Sequence, residues 1–285
     1  MIIKKDIYDT NSRLIMAKGT KVTEKVIKRL KTLNLYNPED IISEDIIDTE
    51  RLEIKNNKFK ETTANSNKQI LSIIQNLQKK INIHNSHYLE LPSKILGKIL
   101  FDSRNEPWWV CINALSNYLD WIYTHSINVS LISTMMAVEL KYNNEELWKL
   151  SLGALLHDIG LLLLPKSLLI KSGQLNDMEL GMIKQHCELG VSVLKPFSLP
   201  KESMDVIMEH HERLDGSGYP EGLIEDEISL NAKIVMIADV IDEITTERSY
   251  RGTLEISDAF MIIKENKGKF SDELIETIEK IIYST

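Results

Sequence analysis

Residues 155 to 165 read LLHDIGLLLLP, a histidine and an aspartate side by side in a run of leucines. Such a run asks to be buried. Burying two polar groups with it costs several kcal/mol unless something pairs with them. Whatever fold this chain adopts must bring partners to His157 and Asp158.

Candidates lie nearby in the sequence. The chain has seven histidines, and five of them, His125, His157, His186, His210 and His211, fall between positions 125 and 211. Each stands on or at the end of a predicted helix. Asp239 sits inside another apolar run, IVMIADVIDEI. A single buried histidine is usually a hydrogen-bonded core residue, and a single mid-helix aspartate a salt bridge. Five histidines and two aspartates would each need a private partner. A metal site satisfies them together, because imidazoles and carboxylates are the ligands of iron, manganese, zinc and nickel, and helical bundles often assemble them in their cores.

The adjacent pairs carry more information. Neighbours on a helix point about 100° apart. His157 and Asp158 therefore serve one ion poorly from one direction, and the same holds for His210 and His211. Two ions a few ångströms apart, with one carboxylate between them, remove the difficulty. Two divalent cations bring about +4 and two carboxylates remove two, while neutral imidazoles remove nothing. The result is a positive pocket suited to phosphate in a chain of net charge −8. That net charge argues against a nucleic-acid polymer or an anionic membrane as partner.

Helix signals dominate from about residue 92 onward. Asn143 with Glu146, and Asn176 with Glu179, have the capping-box spacing. Pro200 suits a first turn of a helix running to about Arg213. Ser229 can cap the helix carrying Asp239, and Ser271 the last one, whose first turn holds Asp272 and Glu273. The first ~35 residues form a small α+β module: two short strands around Thr10-Asn11-Ser12 with Gly19 closing the second, then a helix capped by Thr23. The apolar face of that helix is Val26, Ile27, Leu30 and Leu33, and a solvated face carries Lys25, Lys28, Arg29 and Lys31. Residues 36 to 65 read as a linker. Residues 67 to 81 form an amphipathic helix whose face of Ile70, Ile73, Ile74 and Leu77 suits another helix or a second subunit in a homodimer. The expected architecture is mainly α: an N-terminal module over 1–91 and a helical domain over 92–285.

The two cysteines, Cys111 and Cys187, give no disulfide framework, and no stretch is long and apolar enough to span a bilayer. The expected compartment is the cytoplasm. Cys187 follows His186 and reads as a small buried residue.

After the histidine pair comes ERLDGSGYPEGL. Gly216 and Gly218 allow positive φ and close approach of backbone to a ligand, Tyr219 can stack or hydrogen bond, and Pro220 stiffens the exit. From residues alone the reading ends at a di-metal helical phosphohydrolase or oxygenase.

In order, spacing and flanking text, His125, HDIG at 157 to 160, His186, HHERLDGSGYPEGL and ADVIDEITTERSYR resemble the HD-GYP branch of the HD-domain metal phosphohydrolases. The opening module is also similar, more weakly, to one found ahead of some bacterial members. The resemblance implies a bacterial cyclic di-GMP phosphodiesterase that yields pGpG or GMP through a hydroxide activated by two metals. Iron or manganese is expected, with zinc and nickel still open. It implies His125, His157, Asp158, His186, His210, His211 and Asp239 as ligands, Asp158 as the bridge, and His157 and Asp158 as the catalytic pair. It implies a loop of Gly218, Tyr219 and Pro220 that also offers a surface for signalling proteins, and Arg248 and Arg251 as phosphate-holding residues.

Two departures matter. The family usually places a lysine after HDIG, by the scissile phosphate, and here the residue is Leu161. Lys166 or Lys171 could supply that charge from the following loop. Some members add a glutamate one turn before the first histidine and hold a third metal. Here that position is Trp121, and Asp120 is off the required face, so two metals are expected. The Leu161 departure also opens an alternative: a receptor or adaptor that binds a cyclic dinucleotide, or a partner around Tyr219, with little hydrolysis. A hydrolase of another nucleotide would have no reason to carry DGSGYP here.

Overall fold

The capping residues start their helices as the spacing predicts. In the computed structural model Asn143 accepts the amides of Glu145 and Glu146 while the Glu146 carboxylate takes the Asn143 N–H. Asn176 and Glu179 make the same reciprocal pair. Ser229 accepts from the Ala232 amide, and Ser271 from that of Leu274. Each cap satisfies donors that the first turn leaves without intrahelical partners. The structure describes residues 2–3, 7–8, 14–16, 41–42, 68–83, 85, 87–171, 173–246 and 254–283.

Among these residues the chain forms α1 (68–80), α2 (His87–Phe101), α3 (Trp109–Tyr118), α4 (Asp120–Glu139), α5 (Asn144–Leu156), the short α6 (Lys166–Leu169), α7 (Asp177–Lys184), α8 (His186–Leu194), α9 (Lys201–Glu209), α10 (Leu230–Thr245), α11 (Ile256–Glu265) and α12 (Asp272–Tyr283). The mainly α architecture is as expected. Helix α4 is the axis. It is buried from Ser126 through Ala137 with no polar face, the pattern of a helix enclosed on every side. Around it pack α2, α5, α10 and α12, and α9 closes against α5 and α10. One of its serines reaches a neighbour: the Ser130 hydroxyl donates to the Ser151 carbonyl oxygen of α5 at 3.0 Å.

The N-terminal segment departs from expectation in two ways. Strands β2 (Ile7–Tyr8) and β3 (Leu14–Met16) pair antiparallel as predicted. However, β1 (Ile2–Ile3) pairs with β4 (Ile41–Ile42), so the stretch read as linker contributes a strand. The helix expected after Thr23, with its Val26 and Lys25 faces, lies outside the described residues. The boundary expected at 91/92 falls inside α2, and Ile70, Ile73 and Leu77 of α1 are buried in the same core as α4 and α10. The apolar face of α1 is therefore covered by its own chain, one of the two arrangements expected for it.

Helix α9 also stops earlier than predicted, at Glu209 rather than near Arg213. That early stop reshapes the site. Among the described residues no helix is long and apolar enough to cross a membrane.

Candidate metal centre

Four helices and two turns deliver seven side chains to one place. His125 projects from the middle of α4, His157 ends α5, and Asp158 leads into a 3₁₀ turn at Ile159–Leu163. His186 opens α8, His210 and His211 follow α9, and Asp239 lies within α10. Their ligand atoms fall into two groups, each within 4.8 Å: Asp158, His186, His210 and His211 in one, His125, His157 and Asp239 in the other. Gly160 makes this approach feasible. A Cβ there would overlap the backbone of His186 and Gly190, so only glycine lets the turn after Asp158 sit directly on α8.

His157 and Asp158 belong to different groups, although they too stand in a turn just past their helix. His210 and His211 do not follow the same expectation, for both join one group. The physical reason is the early end of α9. The pair stands in a turn, where the helical 100° spacing no longer applies, and the two rings tilt together with centroids 4.2 Å apart.

Asp158 spans the two groups. Its Oδ1 lies 3.3 Å from His186 Nε2 and 3.9 Å from His210 Nε2. Its Oδ2 lies 3.5 Å from His157 Nε2 and 3.7 Å from His125 Nε2. Asp239 leans to the second group, with Oδ1 3.1 Å from His125 Nε2, while its Oδ2 is 3.9 Å from His211 Nδ1.

The hydrogen bonds on the far side of each ring decide what the near side can do. His157 Nδ1 faces the Ala154 carbonyl oxygen at 2.7 Å, and His186 Nδ1 faces that of Ile183 at 2.8 Å. His210 Nδ1 faces the carbonyls of Val206 and Ile207, both at 3.1 Å. A carbonyl oxygen only accepts, so each Nδ1 carries the proton and each Nε2 presents a lone pair. The Nε2 atoms of His186 and His210 then stand 3.1 Å apart with no proton between them to share. His157 Nε2 is buried with no hydrogen-bond partner. Converging lone pairs in a buried place need a cation, and these donors fit one.

The electrostatics separate the two groups. Burial holds His211 down to about 3 and His210 well below its usual range, so both remain neutral. Burial also opposes charge on His125, but hydrogen bonds to Asp239 and Asp242 outweigh it and raise that imidazole well above its usual range. Burial pushes Asp239 up, yet its bond to His125 and the neighbouring imidazoles hold its carboxyl well below the ordinary value. For Asp158, burial is likewise outweighed by His157, His186 and His125.

Three supporting residues escaped the sequence reading. Asp242 Oδ2 accepts the N–H of His125 Nδ1 at 2.7 Å, and Asn128 Nδ2 donates to Asp242 Oδ1 at 2.8 Å. The signal for Asp242 was available: it is three positions after Asp239, on the same helix face. Glu212 is fully buried and accepts the amides of Glu221, Gly222 and Leu223 at 2.8, 3.1 and 3.0 Å. It pins the loop that follows the histidine pair.

In that loop Gly216 has φ +76°, as a tight turn demands. At Gly218 the close approach is to the chain itself, since a Cβ would overlap the backbone of Glu212 and Arg213. Tyr219 is joined to Pro220 by a cis peptide and lays its ring 4.7 Å from that of His211.

Lys171, expected to serve phosphate, is held by the Glu179 carboxylate at 2.6 and 2.8 Å, and Lys166 donates to the Tyr118 carbonyl at 2.7 Å. Both lysines are engaged in these contacts, and Leu161 is itself buried. Cys187 is buried and outside both ligand groups, its thiol pushed up by burial. Trp121 and Asp120 also lie outside both groups. Arg248 and Arg251 lie outside the described residues.

The sequence model of the HD domain matches residues 109–274, a stretch that contains all seven side chains. The chain belongs to the HD-domain family. It is 28% identical over 214 residues to a cyclic di-GMP phosphodiesterase of Pseudomonas aeruginosa, covering 75% of this chain and 51% of that one. It is 34% identical over 174 residues to a cyclic di-GMP phosphodiesterase of Thermotoga maritima, covering 60% and 47%. A 3'3'-cGAMP-specific phosphodiesterase of Vibrio cholerae is 36% identical over 142 residues, covering 50% and 31%. The chain thus spans about half the length, or less, of these curated relatives. An HDG"Y"P protein from Bdellovibrio bacteriovorus shares the fold, with TM-score 0.53 and 18% identity over 99% of this chain and 95% of that one.

Proposed function

We propose that this HD domain hydrolyses a cyclic dinucleotide, cyclic di-GMP first among them, to linear pGpG or to GMP, as a cytoplasmic signalling enzyme of the HD-GYP branch. The observation that carries the reading is the Asp158 carboxylate, whose two oxygens face two separate sets of imidazole nitrogens. His186, His210 and His211 would hold one cation with Asp158, and His125, His157 and Asp239 would hold the second with it. Iron or manganese suits this mixture of imidazole and carboxylate. When bound, such a pair lowers the pKa of water towards neutrality and offsets charge on phosphoryl oxygens.

The chain's own residues set the rest. Carbonyl-bound Nδ1 atoms aim three imidazoles before any substrate arrives, so little reorganisation is needed at the reaction. Glu212 fixes the loop that presents Tyr219 beside His211, with the Lys184 ammonium over the ring at 5.0 Å from its centroid. Arg248 and Arg251 are assigned to the substrate's phosphates. The relatives named for cyclic di-GMP and for 3'3'-cGAMP support the substrate class.

A second reading is favoured by Leu161. With Lys166 and Lys171 engaged elsewhere, a slow enzyme could serve as a cyclic dinucleotide receptor or as an adaptor through the Tyr219 loop. One assay separates the two. The chain is purified without oxygen, loaded with iron or manganese, and incubated with cyclic di-GMP and with 3'3'-cGAMP. Products that vanish in His157→Ala and Asp158→Ala establish the enzyme, whereas tight binding with no product establishes the receptor.

A further inference from the structure

Helix α1 lies outside the stretch matched by the HD-domain model, yet it reaches the metal centre. Ile70, Ile73 and Leu77 seat one face of α1 in the core. One turn beyond Leu77, the Lys80 ammonium meets Asp242 Oδ1 at 2.6 Å and the Thr246 hydroxyl at 2.6 Å. Asp242 is 1% exposed, and Lys80 is 162 positions away from it in the chain. Lys80 and Asn128 both engage Oδ1, which turns Oδ2 towards His125 Nδ1. Contacts thus run from Lys80 to Asp242, on to His125, and into the group that His125 shares with His157 and Asp239.

A carboxylate behind a ligating histidine fixes the direction of the ring, and its loss typically costs about 10- to 100-fold in metal affinity. The carboxylate needs its own support, because a buried charge without a partner is costly and free to rotate.

We propose that Lys80 is a positioning residue that ties the docking of α1 to the metal affinity of the His125 group. The inference rests on the two-cation reading of the site. Whatever moves α1 then loosens one cation site and leaves the Asp158–His186–His210–His211 site in place. Linkage makes the effect reciprocal, so cations bound at the centre must tighten α1.

The test uses the full chain with Mn²⁺ as the probe. Equilibrium dialysis of wild type is expected to show two ions per chain. In Lys80→Met, one site weakens about tenfold or more while the other is unchanged, and Lys80→Arg restores most of the loss. A merely structural role would lower the melting temperature of the metal-free chain and weaken both sites together. Hydrogen exchange on wild type gives a reading that needs no variant: amides of residues 68–80 are expected to slow when Mn²⁺ binds. Unchanged or tighter two-site binding in Lys80→Met, or exchange of α1 indifferent to Mn²⁺, overturns the proposal and leaves the centre standing. Wild type that takes up no metal overturns the two-cation reading and this inference with it.

Discussion

The imidazoles of His186 and His210 lean on backbone carbonyls of nearby helical turns, whereas His125, in the other group, leans on a chain of side chains through Asp242 to Lys80. A carbonyl inside a helix cannot be replaced by substitution, and it moves only if the helix moves. A side-chain relay can be cut at one residue and can be pulled from a distance. The contrast sets His186 and His210 against a half in which His157 also leans on a helical carbonyl but His125 takes its support from another part of the chain. Asp158 belongs to both, which makes it the residue whose loss the halves cannot survive separately.

Substitution at Asp158 should therefore have the largest effect. Asp158→Asn keeps the shape and removes the shared charge. Turnover of cyclic di-GMP should fall roughly a thousandfold or more, the scale of losing a principal electrostatic group, and metal analysis should show both sites weakened. A variant that lost only one ion would break the comparison, because Asp158 would then belong to one half.

Gly160→Ala should come next. The added methyl meets the backbone of α8 rather than a flexible side chain, so the turn must shift. A loss of about 3 kcal/mol in chemical denaturation is expected, at the upper end for overpacking. A loss below ~1 kcal/mol, the lower end for overpacking, would mean that the turn carrying Asp158 is looser than its contacts imply.

Asp242→Asn sharpens the division of the two halves. It should weaken the His125 site about 10- to 100-fold and spare the other, as read by two-site dialysis with Mn²⁺. Equal weakening of both sites would show that the halves are not independently supported.

The smallest expected change is a gain. Leu161→Lys should raise turnover about tenfold if a missing charge near the phosphate limits the rate. An unchanged rate in a variant that still melts cooperatively would remove Leu161 as the explanation for slow turnover.

Much of this was legible in the sequence because it is local. Asn143 with Glu146 and Asn176 with Glu179 fix helix starts within four residues. The ligands announce themselves because His157, Asp158 and Asp239 are expensive in apolar surroundings unless paired. What stayed hidden depends on distance in the chain or on where a helix stops. Lys80 looks like an ordinary solvated charge until α1 docks on α10. The shared group of His210 and His211 follows from the end of α9 at Glu209, which the apolar spacing up to Arg213 conceals. Gly160 gave no sign of its role, because the backbone it must clear belongs to α8.

The most direct measurement is electron paramagnetic resonance of the anaerobically purified chain titrated with Mn²⁺. The account predicts two ions per chain and, at saturation, an exchange-coupled spectrum that reverts to isolated Mn²⁺ signals in Asp158→Asn. A single ion per chain, or two ions whose signals are uncoupled in the wild type, would contradict it.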